Sequence, residues 1–309
     1  MRTLDELVRV ADAGLHPSVR ARIPPAERFE ALREELEWAV TTAANDLDFA
    51  RGFAAAQPQS GQPADAFLNR WLPVTEDLEV LAGPRYRGLD PRRPFVAVDA
   101  ASRLITLADL PYLRRAAGEA FAAFGPGYLR LWSCQPAGSW PTTGSDHRNV
   151  TGSLGDLRRN PLPPELSARV ASNLDFYDDY VAIHRDQVAR EPAHAERTRV
   201  ETREDLGSLL DAKTLFAVHV DGRWAGLLAA EPGVQHGLRG MVVVELLLDP
   251  AGRGRGYGKH LSTLLARQLA APDDRDLLGT IHVDNTAAYR SALAAGRHDV
   301  GGEVIVALT

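Results

Sequence analysis

The chain has 309 residues, 45% of them apolar and 25% charged, with a formal net charge of −6. That length suits two domains and that composition an ordinary globular protein. The acidic balance excludes a generic nucleic-acid binder, and the single cysteine, Cys134, excludes a disulfide framework or a cysteine-rich metal site within one chain.

The start, MRTLDELVRVADAGL, carries acids and lacks the continuous apolar core of a signal peptide. No stretch approaches the roughly 20 apolar residues of a membrane span. A soluble, cytoplasmic protein without nucleic-acid or membrane partners is therefore expected. Thr3 to Leu15 places Leu4, Leu7, Val8 and Ala11 on one helical face. Pro25 opens a longer helix with Phe29, Leu32, Leu36 and Val40 three or four residues apart. Its other face (Glu27, Arg28, Glu30, Arg33, Glu34, Glu35, Glu37) reads as a solvated, ion-paired surface.

Gln57 to Pro63 reads as a loop. Leu78 to Leu81 and Pro94 to Val98 are candidate strands, Leu107 to Phe124 an amphipathic helix, and Tyr128 to Ser133 a strand. These make an N-terminal helical or α+β domain over residues 1–150. Gln135 to Leu157 is rich in Gly, Ser, Thr and Pro, and Pro161 to Pro164 is stiff, so the domain boundary is expected between 135 and 165. A second domain then covers 165–309.

Tyr177 to Glu191 reads as a helix, and Thr202 starts another, followed by Glu204 and Asp205 in its first turn. Leu215 to Val220 and Trp224 to Ala230 read as strands about an Asp221-Gly222 turn. Met241 to Leu248 is an apolar, β-branched run, which favours a buried strand. Asp249 to Gly252 breaks it, Arg253 to Gly258 is a glycine-rich cationic turn, and Leu261, Leu264, Leu265 and Leu269 recur at helical spacing. Leu277 to Val283 is a further strand ended by Asp284-Asn285. Thr286 to Ala295 is a helix stopped by Gly296, and Glu303 to Leu308 is a last strand.

A buried strand, a Gly/Arg turn and an amphipathic helix make an anion site. The glycines let backbone N–H groups approach a phosphate, and the helix N-terminus adds a favourable dipole. Two nucleotide registers fail. A Walker loop would find Arg253 in place of its first glycine and His260 in place of its hydroxyl residue, and a Gly-x-Gly-x-x-Gly fingerprint meets Tyr257 or Lys259 at its third glycine. Arg253-x-x-Gly256-x-Gly258, with Pro250 three residues earlier and a leucine-rich helix after, resembles the acyl-CoA pyrophosphate loop of the GNAT superfamily of N-acyltransferases. The family's second signature is an Asn, an Ala three residues on and a Gly eleven on, and Asn285, Ala288 and Gly296 stand in that register. The resemblance covers residues of about 165 to 309.

The resemblance implies an α/β (α+β) chain whose C-terminal domain has a mixed, mostly antiparallel sheet flanked by helices. The N-terminal half is either a degenerate acyltransferase-like copy or an unrelated α+β cap. The implied activity is transfer of an acetyl group from acetyl-CoA to a primary amine, on a small molecule or a peptide. The backbone of Leu246, Leu247 and Leu248 would pair with the pantetheine arm. Arg253, Gly254, Arg255, Gly256, Tyr257 and Gly258 would hold the pyrophosphate, and Asn285 and Tyr289 would shape the arm. The helices over the acceptor site carry Asp175, Asp178, Asp179, Asp186, Glu191, Glu196, Glu201, Glu204 and Asp205. That is either an acidic wall for a cationic amine or a solvated face, since Arg185, Arg190, Arg197, Arg199 and Arg203 cancel much of the charge.

The catalytic groups depart from the family pattern. Its proton-donating Tyr, seven residues after the Asn, is Ala292 here, and Tyr289 lies one turn earlier. An acyl-CoA sensor without turnover is therefore the second reading. Glu245 is the only ionisable side chain in the key strand, expensive to bury unless paired or functional. Strict alternation turns it away from the site. A β-bulge would turn it back, and otherwise it would serve a structural pairing, for instance with an Arg of a covering helix. His282 is the other candidate base. No His-Glu-x-x-His cluster is present, so no metal is expected. The oligomeric state is left open.

Overall fold

The computed structural model describes residues 2–57, 61–140, 144–192, 198 and 200–308. Part of the Gln57–Pro63 loop, and Glu196, Arg197 and Arg199 of the charged segment, lie outside the described residues. The chain is mixed α+β, with mostly antiparallel strands flanked by helices. It divides into two compact units that are not consecutive stretches. The first comprises Met1–Arg148, Val234–Leu238 and Val300–Thr309, the second Asn149–Gly233 and Arg239–Asp299.

The first unit begins with helices α1 (Leu4–Ala13), α2 (Pro17–Arg22), α3 (Pro25–Val40), α4 (Thr42–Asn45) and α5 (Leu47–Ala56). Thr3 and Glu6 close a capping box on α1, and Pro25 opens α3. Strands β1 (Arg70–Pro73), β2 (Glu79–Tyr86) and β3 (Pro94–Ala101) pair antiparallel in order. Helix α6 (Leu110–Ala120) returns the chain to β4 (Tyr128–Ser133), parallel to β3, and residues 302–307 of the chain's last strand pair antiparallel with β4. Leu110, Leu113, Ala117 and Phe121 of the α6 segment pack on Val80, Val96 and Leu129. The expected single helix from Leu107 to Phe124 is α6 with a short 3₁₀ turn on either side, closed by Gly125 at φ 61°.

The polar face of α3 is not wholly solvated, which corrects the reading of that helix. Arg28 is 4% exposed, and its Nε donates to Asp12 Oδ1 of α1 at 2.6 Å. Glu35 accepts the backbone N–H of His236, and burial raises its carboxyl from 4.5 to about 7 against the pull of the His236 and Gly237 amides. An ion pair between two helices and a loop reaching a helix side chain are long-range events that helical periodicity cannot register.

The Gly/Ser/Thr/Pro-rich stretch expected as a linker forms β5 (Gly144–Ser153) and α7 (Leu154–Arg159). Asp146, Arg148, Asn149 and Thr151 of β5 are buried polar residues, which composition reads as loop. A polar strand can be buried where its groups find partners. Asp146 meets Arg87 at 2.8 Å, and Thr280 Oγ1 donates to Asn149 Oδ1 at 3.3 Å.

The second unit continues with β6 (Leu166–Val170), α8 (Tyr177–Arg190), α9 (Arg203–Asp211), β7 (Leu215–Val220), β8 (Arg223–Gln235), β9 (Leu238–Leu248), α10 (Leu261–Gln268), β10 (Asp276–His282) and α11 (Thr286–Ala294), and it ends at the start of β11 (His298–Ala307), whose residues from Val300 on belong to the first unit. Strands β6, β7 and β8 pair antiparallel, and β10 lies parallel to β9. Helix α10 packs with Phe216, Leu248 and Leu277 in one core, and α8 and α9 with Leu227 and Leu247 in another. Among the described residues no helix is long and apolar enough to cross a membrane.

Two stability predictions follow from the first unit. Asp12→Ala strands the Arg28 guanidinium without its counter-charge and should cost about 3–5 kcal/mol in urea unfolding. Glu35 has a raised pKa in the folded state. Its contribution is therefore complete below about pH 4.5 and lost as pH rises through about 7. Relative to Glu35→Gln, the wild type should lose at most about 3 kcal/mol across that window, read from unfolding midpoints at a series of pH values.

Candidate active site

The ladder between β9 and β10 has three residue pairs, Gly240, Met241 and Val242 with Asp276, Leu277 and Leu278. Both strands run on past it without a further mutual pair among the described residues. Backbone groups of a buried strand that lose a neighbour need another partner. Here they face the gap between two parting parallel strands.

β9 also changes facing at this point. Met241, Val243, Leu246 and Leu248 pack in the α10 core, whereas Val244 and Leu247 pack in the α8/α9 core. Glu245 turns to α8 as well. Two successive residues on one side mark a bulge-like break in the period-two pattern, so strict alternation does not hold at Glu245.

Glu245 is 8% exposed. Its Oε2 accepts from Tyr180 Oη at 3.1 Å and lies 3.4 Å from His184 Nε2, and its Oε1 accepts from the Leu246 N–H at 3.1 Å. The Glu201 N–H donates to Tyr180 Oη at 2.9 Å. The covering helix thus supplies a Tyr and a His rather than an Arg. Burial and the adjacent Glu245 carboxylate push the Tyr180 phenol far above its ordinary value, so it stays protonated and donates. Tyr180 and His184, four apart on one helical face, are the residues missed from the sequence. Their spacing was visible, but their partner lies more than sixty residues along the chain.

After β9, Asp249 accepts from the Gly252 N–H at 2.7 Å and turns the chain into the loop. Gly254 and Gly256 have φ 72° and 83°, left-handed values natural to glycine, and a Cβ at either would meet nothing within 4 Å. The approach to both is open. Gly258 has a different reason: a Cβ there would stand 2.9 Å from Ser291 Oγ of α11. Arg253 Nε donates to Leu248 O at 3.0 Å, and burial, with Arg190 nearby, lowers its pKa. The Arg255 guanidinium lies 5.1 Å from the Tyr257 ring centre. Tyr257 is buried and donates to Glu165 Oε1 at 3.0 Å, so what it offers the loop is backbone. The helical part begins with a 3₁₀ turn, Tyr257–His260, that runs into α10.

Asn285 caps α11, its oxygen accepting from the Ala288 N–H at 3.2 Å, which accounts physically for the Asn-x-x-Ala spacing. Tyr289 Oη donates to Asp299 Oδ2 at 2.7 Å, and Ala292 is buried. His282 is 9% exposed and its Nδ1 accepts from the Asp284 N–H at 3.2 Å, which leaves the proton of the neutral ring on Nε2.

Among the described residues, Asp146, His147 and Glu303 of the first unit bring three ligand-type atoms within 4.8 Å. Arg130 reaches Glu303 at 3.1 Å, and Arg87 holds Asp146. Burial works against a charged His147, but the two carboxylates outweigh it and raise its pKa to about 9. A protonated imidazole has no lone pair for a metal, and the guanidiniums already neutralise the acids.

No family model and no curated protein matches the sequence. Several solved structures are similar to the chain. A GCN5-related N-acetyltransferase from Kribbella flavida is 15% identical, with 85% of this chain and 96% of that one covered and a TM-score of 0.44. A GNAT-family acetyltransferase from Colwellia psychrerythraea is 10% identical, covering 74% and 86%, with a TM-score of 0.49. A GCN5-related N-acetyltransferase from Sphaerobacter thermophilus is 14% identical, covering 84% and 91%, with a TM-score of 0.45.

Tyr289→Phe removes the bond to Asp299 and should cost about 2 kcal/mol of stability, measured by denaturant unfolding.

Proposed function

We propose that the second unit is an acyl-CoA-dependent N-acyltransferase that moves an acetyl group from acetyl-CoA to a primary amine on a small molecule or a peptide. The observation that carries this reading is the conjunction of parting parallel strands with two left-handed glycines at the entrance to α10. The residues present fit the donor. The space beside Gly254 and Gly256 leaves room for a diphosphate to approach the loop backbone, and Arg253 and Arg255 add charge. Leu246 to Leu248 sit where β9 has left its ladder with β10; Glu245 holds the Leu246 N–H and Arg253 the Leu248 carbonyl, and an amide-bearing arm would pair with the backbone groups these two leave.

When bound, the thioester supplies an acyl carbon open to attack by an amine. The chain has to take a proton from the amine and stabilise the oxyanion. A strand N–H beside the break at Val244 and Glu245 is a donor suited to the oxyanion. For the proton, the Glu245–His184 pair is the best-supported acceptor. The carboxylate and imidazole lie 3.4 Å apart, Tyr180 fixes the carboxylate, and both partners lie on the α8 side of β9, the helix that resemblance sets over the acceptor. His282 serves less well, since its Nδ1 lone pair is already taken by the Asp284 amide. With Ala292 at the usual donor position and Tyr289 engaged by Asp299, thiolate departure relies on the thiol's own acidity, with a pKa of about 8.5. That same observation favours the second reading, an acyl-CoA sensor.

Calorimetry with acetyl-CoA, followed by thiol release with a panel of amines, tests both. Saturable binding and amine-dependent thiol release are expected. Gly256→Asp should abolish binding by placing a carboxylate at the phosphate position, and Glu245→Gln should keep binding while lowering turnover by about 10²–10⁴. Tight binding without amine-dependent release would leave the sensor, and stabilisation by ATP or NAD but not by acetyl-CoA would overturn both readings.

A further inference from the structure

In the first unit, too, a parallel strand pair parts. The β3–β4 ladder consists of Val96 with Leu129 and Ala97 with Arg130. Beyond it, the ends of both strands line a cavity of about 490 Å³, roofed by residues of α1 and α3 and by His236. The entrance to α6, which corresponds in element order to the glycine loop before α10, offers no anion cradle. Thr106 and Asp109 form a capping box there, and Arg103 bonds both Asp109 and Asp77. The cavity's chemistry is therefore its own.

Three of the chain's five tryptophans, Trp38, Trp132 and Trp140, line it. His236 stacks on Trp132 with ring centres 3.5 Å apart, and burial lowers its pKa to about 4, so it is a neutral aromatic wall and not a cation. Its backbone is held at φ 47°, an uncommon conformation outside glycine, and from there its N–H reaches Glu35. Trp38 and Leu104 remain 46% and 47% exposed, leaving large apolar surface at the cavity uncovered.

The lining carries Glu35, Asp99 and Glu303 against Arg103 and Arg130. Four of these five are spent within the protein: Asp99 on Arg85, Glu303 on Arg130, and Arg103 on Asp77 and Asp109. Glu35 alone has no cationic partner among the described residues. Backbone amides hold it, no side-chain cation offsets it, and above about pH 7 its carboxylate is ionised. The Trp132 indole N–H is buried and likewise has no acceptor. An apolar, aromatic-walled space with one uncompensated carboxylate suits an organic cation, which gains from the ring faces and from the ion pair together.

We propose that this cavity binds a small hydrophobic primary amine as its ammonium ion, with the Glu35 carboxylate pairing with the cation and the tryptophan faces holding the apolar body. This site is separate from the proposed acyltransfer chemistry and needs no acyl donor. A hydroxyl or carbonyl on the ligand would meet the Trp132 N–H.

The test uses 2-phenylethylamine, 2-phenylethanol and phenylacetate as probes, which share one apolar body and differ in charge. Binding to the full-length protein is followed by tryptophan fluorescence without acetyl-CoA at about pH 8, where Glu35 is ionised and the amine still protonated. The amine should bind saturably and at least about tenfold more tightly than the alcohol or the acid. Glu35→Gln, nearly isosteric, should remove that preference while keeping the wild-type circular dichroism. Ala100→Phe, which fills the cavity, should abolish binding of the amine. Equal affinity for the alcohol or the acid, no saturable signal from the amine at millimolar concentration, or unchanged amine binding in a folded Glu35→Gln protein would each overturn the proposal. Loss of acetyl-CoA binding elsewhere leaves these results unaffected, so the two readings fail separately.

Discussion

A parallel strand pair that separates after a few residues creates a demand the fold must meet, because backbone donors and acceptors in a buried strand cannot stay unpaired at low cost. In the second unit, β9 and β10 part after three pairs, and the chain then spends its glycines at the mouth of the gap. Each later feature of the candidate site depends on that parting. It leaves Leu246 to Leu248 beyond the ladder with β10, it is followed by the Gly254–Gly258 loop that leads into α10, and the nearby break in facing turns Glu245 toward α8.

The first unit repeats the succession of three antiparallel strands, a helix and a parallel return strand, and it too has a short parallel ladder. The divergence lies in the turn before the helix. Where the second unit has Arg253 to Gly258, the first has Ser102 to Asp109, without a glycine and with its own carboxylate bonded to Thr106 and Arg103. A helix entrance filled by its own acid cannot take a phosphate. What remains is an aromatic cavity whose net charge favours a cation.

Buried charge divides along similar lines. Asp12 with Arg28, and Asp146 with Arg87 and His147, are matched sets whose worth is structural. Glu245 faces a His and a Tyr, and Glu35 only backbone amides. Carboxylates without a full counter-charge are costly to the fold, and the places that retain them are where a proton or a ligand cation is expected to be handled.

Local chemistry was legible from residue order alone. Helix starts at Thr3, Pro25 and Thr202, the Asp221-Gly222 turn, the helix from Thr286 and the glycine loop each depend on neighbours within a few positions, and local rules report them. The strand hidden in a Gly/Ser/Thr-rich stretch, the burial of Arg28, the backbone contact of Glu35, the facing of Glu245 and the His184–Tyr180 partners were decided by the tertiary structure. Each depends on which distant segment arrives beside it, and a polar residue's environment is set by that arrival and not by its sequence neighbours. The division of the chain was decided the same way. The hairpin tip 234–238 and residues 300–309 join the first unit because their backbone and side chains find partners there, whatever their place in the order of synthesis.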